Sequence, residues 1–420
     1  MISLLHARRR RALPGLLLLA LPLSAALVAA GEADPPARLE FLVHSASGSP
    51  VKGQLKQIDE QWNVLPDAPK PVKIAGADLI SIRRVDLPLP GPPAGQQVVF
   101  ANGDRLPGAI GDLTGERLTL RSARSDFEAM TLPLSALAVL WFETPAGMER
   151  PDLVRRRLLL ERRSRDVIWL RNGDQLQGNV VKLDREALFI EVDRKQVKVD
   201  RGKLAIVAFN NELVRTLRPK EPYAQLVLAD GCRLGVASVR LDGNRLTGKT
   251  LFGATVTLPL ADLRALDIRQ GRAVYLSDLK PASYHFTPYF PRLAYGWVAD
   301  GSIGDGSPAG DEMRLAGSTF GKGIGMHSES RISYALDGAY RRFEALVGLD
   351  DRGGANGSVR IKVLVDGKPR ELGLDKELTG RDGPKEVRLD VAGARTLTLA
   401  VEYGRFDQGQ VNWADARLVK

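Results

Sequence analysis

From residue 38 onward the chain is a succession of short apolar runs broken by glycine-containing turns, and no long helical period follows the first thirty residues. Apolar and polar residues alternate within the runs, which predicts half-buried strands. Asn-Gly and Asp-Gly between two runs predict hairpins, because a tight turn needs a residue at positive φ. The pattern also repeats. Val98-Val-Phe-Ala-Asn-Gly-Asp-Arg-Leu106 aligns with Ile168-Trp-Leu-Arg-Asn-Gly-Asp-Gln-Leu176 and with Leu226-Val-Leu-Ala-Asp-Gly-Cys-Arg-Leu234. Glycine follows two residues later in the first two, at Gly108 and Gly178. Each copy then adds further apolar runs and ends on a closing one: Leu132 to Leu140, Val197 to Phe209, and Leu258 to Leu266. A degenerate first copy spans Leu39 to Val85, with Gly48 and Gly53 near its turn.

Each copy reads as a β-meander. A lone hairpin is marginal in water, so the expectation is four or five strands curled into a small barrel that buries the apolar stripe. In pattern alone the copies resemble small SH3-like or Sm-like barrels. The expected segments are 38–90, 96–146, 166–215 and 222–270. Cys232 fills the turn slot that Asp104 and Asp174 fill elsewhere, so it reads as structural. As the only cysteine it cannot belong to an internal disulfide framework.

Residues 147–165 interrupt the series. They hold seven arginines against Glu149, Asp152 and Glu161, with Leu153, Arg156, Leu160 and Arg163 at helical spacing. Two readings stay open for this segment: a solvated connector, or a short basic helix that meets an anionic surface.

The N-terminus has the order of a secretory leader over residues 1–30. Arg8 to Arg11 precede an apolar run from Ala12 to Ala30, and Val28-Ala29-Ala30 supplies small residues for cleavage. An uncleaved anchor is the alternative, since the run is nearly long enough to span a bilayer. Four of the ten excess positive charges belong to this segment and four to the basic connector, so the remainder is nearly neutral. That balance, with export, argues against a nucleic-acid partner. The expected location is the periplasm, the cell surface or the medium.

From Val274 the texture changes. Val274-Tyr-Leu-Ser-Asp-Leu-Lys-Pro281 opens a segment in which Tyr284, Phe286, Tyr289, Phe290, Tyr295 and Trp297 cluster. Phe320-Gly-Lys-Gly-Ile-Gly-Met-His-Ser328, Val347-Gly-Leu-Asp-Asp-Arg352, Val365-Asp-Gly367 and Trp413-Ala-Asp-Ala-Arg-Leu418 follow. Strand-length runs separated by Gly and Asp-Gly turns predict one antiparallel β-sandwich over residues 274–420. Arg269-Gln-Gly-Arg272 reads as its boundary, which predicts that the segment folds by itself. These motifs, in this order, resemble the NPCBM family of carbohydrate-binding modules, found beside glycoside hydrolases including family 98. The resemblance implies a galactose-binding-like jelly-roll sandwich, sugar binding at loop ends, and a structural Ca2+. One position departs from the pattern: Asn412 stands where the family often has an acidic residue or histidine before the tryptophan.

The fold class expected overall is therefore all-β, with meander or barrel copies followed by a jelly-roll. A sugar site needs an aromatic face and fixed polar groups, which makes Trp297, His327, Asp350, Asp351, Arg352 and Trp413 the candidates. For Trp413 core packing is the competing reading, and for His327 a histidine satisfied beneath a glycine-rich turn. Asp350, Asp351 and Asp415 are the candidate Ca2+ ligands. No catalytic apparatus is recognisable. A glycosidase needs two carboxylates about 5–10 Å apart across a cleft, and the repeated Asp104 and Asp174 occupy turn slots. The chain has four histidines, none in a spaced pair on a helix. The expected function is an exported, non-catalytic protein that attaches to glycans through its C-terminal module. The alternatives are a structural envelope protein without sugar affinity, or an accessory part of a glycoside hydrolase system.

Overall fold

A computed structural model describes residues 39–420 apart from 70–71, 123–128, 218, 288–306, 308–309, 354–356, 374–376 and 406–408. The expected leader and the aromatic run from Tyr289 to Trp297 lie outside the described residues. Leu39–Lys420 forms one compact unit, and nearly all of its regular structure is strand.

The three aligned turns are alike to the hydrogen bond. In each, the glycine amide donates to the carbonyl of the residue three before it: Gly103 to Phe100 at 2.9 Å, Gly173 to Leu170 at 3.0 Å, Gly231 to Leu228 at 3.0 Å. The glycines have φ of 87°, 91° and 83°, the left-handed region that a side chain disfavours. A side-chain oxygen of Asn102, Asn172 or Asp230 accepts the amide of the residue two on, which locks the turn. Cys232 is buried in this slot, as its alignment indicates. Gly53, Gly108 and Gly178 answer to a different constraint. A Cβ at any of them would overlap a carbonyl oxygen of the crossing strand, from Asp67, Arg121 and Glu191 respectively.

Every copy ends in a short 3-10 turn that leads into a closing strand. These strands are Leu79–Arg84, Leu137–Trp141, Leu204–Ala208 and Leu263–Arg269. Each closing strand pairs with the opening strand of its own copy, as Leu137–Trp141 does with Gln97–Phe100. The expectation of one closed barrel per copy is corrected here. The other edge of each closing strand is taken by another copy: Leu137–Trp141 pairs with Leu204–Ala208, and Leu79–Arg84 with Leu263–Arg269. The second copy thus pairs with the third, and the first with the fourth. A strand edge spent on a neighbour cannot also close its own meander, and each exposed edge is covered in the process. One continuous core, from Phe41 to Ile268, runs through all four copies.

The connector between the second and third copies is a helix, Pro151–Leu160, started by a proline at its first position. Leu158 is buried against Val139, Trp141 and Ile206, on the seam of the paired closing strands. Arg155 lies 4.6 Å from the centre of the Trp141 ring and bonds Asp152 at 2.9 Å. Arg155 and Leu158 are therefore internal to the fold, Arg150, Arg156 and Arg163 are half-buried, and Arg157, Arg162 and Arg165 are exposed.

The C-terminal segment is a two-sheet sandwich. One sheet holds Ala273–Tyr275, Gly323–His327, Arg342–Leu349, Lys385–Asp390 and Gln410–Val419; the other centres on Ser330–Ala335, Thr396–Tyr403 and Ser358–Val365. Trp413, Phe343, Tyr334 and Leu399 lie between them. This sandwich docks on the copies through buried charge. Arg83 of the first copy bonds Asp267 of the fourth and, at 2.8 Å, Asp415 of the sandwich. Arg105 of the second copy bonds buried Glu312, and Arg233 of the fourth donates to the Thr319 carbonyl at 2.9 Å. Asp152 of the helix accepts from Arg314 at 2.8 Å and Arg352 at 3.1 Å.

The two glycine roles are separable by experiment. A Cβ at Gly173 meets no atom within 4 Å, so the expected cost of Gly173→Val is mainly conformational, about 1 kcal/mol. Gly178→Ala drives a methyl into the Glu191 carbonyl and is expected to cost more, about 1–3 kcal/mol, by urea denaturation.

Candidate functional site

Strand register brings one set of loops to one end of the sandwich. His327 pairs with Gln410, and Leu349 with Val411, so three strands of the first sheet reach that end together. In the second sheet Phe286 pairs with Ser330, Ser330 with Val401, and Val359 with Tyr403. Residues 327–330, 350–353, 357–358, 403–405 and 409–410 are thereby neighbours.

The end is held by short polar contacts. Ser328 Oγ accepts the Gly409 amide at 3.0 Å, and Glu329, at a φ of 57°, accepts the Tyr403 amide at 3.0 Å. Ser358 Oγ accepts the Arg405 amide at 2.8 Å. A Cβ at Gly409 would overlap Val359, so this position admits nothing larger than glycine. On this frame the rings of Phe286 and His327 stand 5.7 Å apart, tilted by 37°, both half-buried. An apolar ring face beside a ring with nitrogen donors and acceptors is what a sugar's C–H face and hydroxyls require.

Of the other sequence candidates, Asp350, Asp351 and Arg352 follow the strand that ends beside Gln410 but are committed to other partners, while Trp413 and Asp415 lie further along the last strand. Trp413 is fully buried, its ring 6.4 Å from that of Phe343, which makes it core. Asp350 is buried and accepts the amides of Arg314 at 3.2 Å and Arg352 at 3.0 Å. It also accepts Asn412 Nδ2 at 2.6 Å. That contact accounts for Asn412: an amide donor suits a buried carboxylate, where an acid would repel it. Asp351 caps the turn at Ala316 and Gly317, accepting both amides at 2.8 Å. Arg352 reaches away from the loop end to Asp152 and Asp311. Asp415 is held by Arg83, and its carboxyl sits below the usual range: burial opposes ionisation, and Arg83 with Arg417 outweighs it. Trp297 lies outside the described residues. Of the named residues, His327 is the one whose ring stands half-buried beside another ring at the loop end. Phe286 was not singled out as a ligand, and its alignment with Ser330 across the sheet was the missing signal.

The implied Ca2+ does not fit the residues proposed for it. The carboxylate oxygens of Asp350 and Asp351 are taken by N–H donors, and that of Asp415 by a guanidinium; the three face different partners. Among the described residues no group of three or more His, Cys, Asp or Glu stands where it could hold a metal ion. The repeated aspartates also stay apart from any cleft chemistry. Asp104 is buried and accepts the Gly235 amide of the fourth copy at 2.7 Å, while Asp174 closes an exposed turn. Burial raises the Asp104 carboxyl above its ordinary range, and its hydrogen-bond donors act against that.

Comparison with known proteins bears on the C-terminal segment. Residues 272–419 match the NPCBM/NEW2 domain family, so this part of the chain is a module of that class. A Renibacterium salmoninarum protein named for endo-alpha-N-acetylgalactosaminidase is 29% identical over 118 residues. That match covers 28% of this chain and 7% of the other. The CBM51 module from Clostridium perfringens GH95, solved in complex with methyl-galactose, is 31% identical. It covers 35% of this chain and 99% of its own, with a TM-score of 0.29. The CBM51-2 and INT domains of Clostridium perfringens ZmpB, solved with GlcNAc, are 26% identical over 42% of this chain and 36% of that one, with a TM-score of 0.30.

Removing the Trp413 ring from the core, by Trp413→Ala, is expected to cost about 3–5 kcal/mol. His327→Ala at the rim is expected to leave the melting temperature nearly unchanged. Thermal unfolding of both variants checks the assignment, and a large loss in His327→Ala would place that ring in the core as well.

Proposed function

We propose that this is an exported, non-catalytic glycan-binding protein whose C-terminal module takes a sugar at the loop end bearing Phe286 and His327. The family match over residues 272–419 carries the reading. The half-buried ring pair at the loop end supports it, as does a frame of hydrogen bonds that pre-organises this end and limits the entropy lost on binding. Trp297, in the adjoining segment, is the proposed stacking partner. A galactose-type or N-acetylated hexose is the ligand class, by likeness to the modules solved with methyl-galactose and GlcNAc. The arginine-led apolar N-terminus supports export. Among the described residues no helix is long and apolar enough to cross a membrane. The four copies act as the rigid mount of the module, since buried charges fix how the module faces outward.

The test uses the whole chain on a broad glycan array, followed by calorimetry with methyl-galactoside and N-acetylglucosamine. The expected result is weak one-to-one binding, with Kd near 1 mM, about −4 kcal/mol. Trp297→Ala and His327→Ala are each expected to abolish binding without lowering the melting temperature. A folded protein that binds nothing on the array would leave the structural envelope reading in place.

A further inference from the structure

The basic segment between the second and third copies is only partly absorbed by the fold. Leu158 and Leu159 of the helix Pro151–Leu160 pack on the seam of the paired closing strands, while the next residue, Leu160, is 67% exposed. Past the helix the chain is tied to the loop that follows Leu204–Ala208. Asn211 Oδ1 accepts the Arg163 amide at 2.8 Å, and Asn211 Nδ2 donates to the Glu161 carbonyl. Asn210 Nδ2 donates to the Ser164 carbonyl at 2.9 Å, and the Arg163 guanidinium donates to the Phe209 carbonyl at 3.3 Å. The far end of the loop is anchored by the Arg215 amide, which donates to the Ser135 carbonyl at 2.6 Å. Residues 161–165 and 209–215 therefore form one platform, and Leu213, 75% exposed, stands on it.

Leu160 and Leu213 are the two most exposed large apolar side chains among the described residues. Both sit beside the Asn211 tie: Leu160 precedes Glu161, and Leu213 is two residues past Asn211. Arg157, Arg162, Arg165 and Arg215 are exposed around them, against exposed Glu161 and Glu212. Arg157 is spent on Glu161, 3.5 Å away. Arg162, Arg165 and Arg215 pair with no carboxylate among the described residues, so the platform carries an excess of positive charge.

Exposed leucines scattered singly are ordinary, but two on one cationic platform have the composition of a surface that meets an anionic bilayer. The leucines enter the acyl boundary and the arginines hold headgroup phosphates. Other partners fit less well. A soluble polyanion would use the arginines and leave the leucines in water. A second copy would oppose like charges. A protein interface of ordinary size covers about 800 Å2 a side, more than two leucines offer.

We propose that this platform rests on an anionic lipid surface, with Leu160 and Leu213 inserted and Arg162, Arg165 and Arg215 on the headgroups. The glycan site plays no part in this contact.

The test uses the full chain with vesicles of phosphatidylcholine, with or without phosphatidylglycerol. The apolar N-terminal run is common to all variants and is itself drawn to lipid, so the readout is local. It is the fluorescence of bimane on Leu213→Cys, the other thiol, Cys232, being buried. A blue shift is expected with anionic vesicles and little with phosphatidylcholine alone. Arg162→Gln with Arg165→Gln is expected to weaken the contact about tenfold and remove most of the shift. Leu160→Ser is expected to weaken it severalfold. Melting temperatures are expected to stay unchanged, because these side chains are exposed. No shift on anionic vesicles would overturn the proposal, as would a shift undiminished in the arginine variant. An equal shift on phosphatidylcholine alone overturns it too, since the arginines would then be idle. A shift unchanged in Leu160→Ser would leave charge as the whole attraction, point to a soluble polyanion, and overturn the lipid reading.

Discussion

Arg83 stands where three parts of the chain meet. It is buried, and burial opposes its charge; Asp267 and Asp415 outweigh that and raise its pKa. Asp267 belongs to the closing strand of the fourth copy and Asp415 to the last strand of the module. A buried pair of this kind is a poor source of net stability, since desolvation offsets most of the attraction. Its effect is on arrangement. Losing one partner strands the others without water, at about 3–5 kcal/mol, so a module turned or shifted on the copies is penalised. Arg105 with Glu312 and Asp152 with Arg314 and Arg352 apply the same constraint at two other points.

The copies answer a related problem in backbone terms. Four meanders, each with an unsatisfied closing strand, would present four adhesive edges. Pairing the second copy with the third and the first with the fourth removes those edges and joins the cores. The third copy shows how such a seam is adjusted. Arg201 stands in the turn where the second and fourth copies have Leu134 and Leu260, and it donates to the carbonyls of Ile110 and Asp184. The helix Pro151–Leu160 then seals the outside of the same seam with Leu158.

The hairpins were legible because their chemistry is local: the Asn-Gly and Asp-Gly turns act within a few positions. So was the sandwich, whose motifs are strong and ordered. Pairing between copies was not legible, since a strand edge has no sequence signature of its own. The acidic candidates were misread for a similar reason. Asp350, Asp351 and Asp415 look like loop ligands in sequence, and only the fold supplies Arg314, Asn412, the Ala316 turn and Arg83 as their partners. His327 could be named from its glycine-rich strand, but its partner Phe286 lies across the sandwich on the other sheet. The basic connector reads as solvated because arginine usually is; Asp152 and the Trp141 ring draw Arg155 inward, and Asp311 takes Arg150, which is half-buried.

If buried charge ties the copies and the module into one body, the chain from Leu39 to Lys420 unfolds as a unit. Scanning calorimetry of the whole protein at pH 7 measures this directly. The account predicts one endotherm whose calorimetric and van't Hoff enthalpies agree, the mark of two-state behaviour. Two resolved transitions, one for the copies and one for the module, would contradict it.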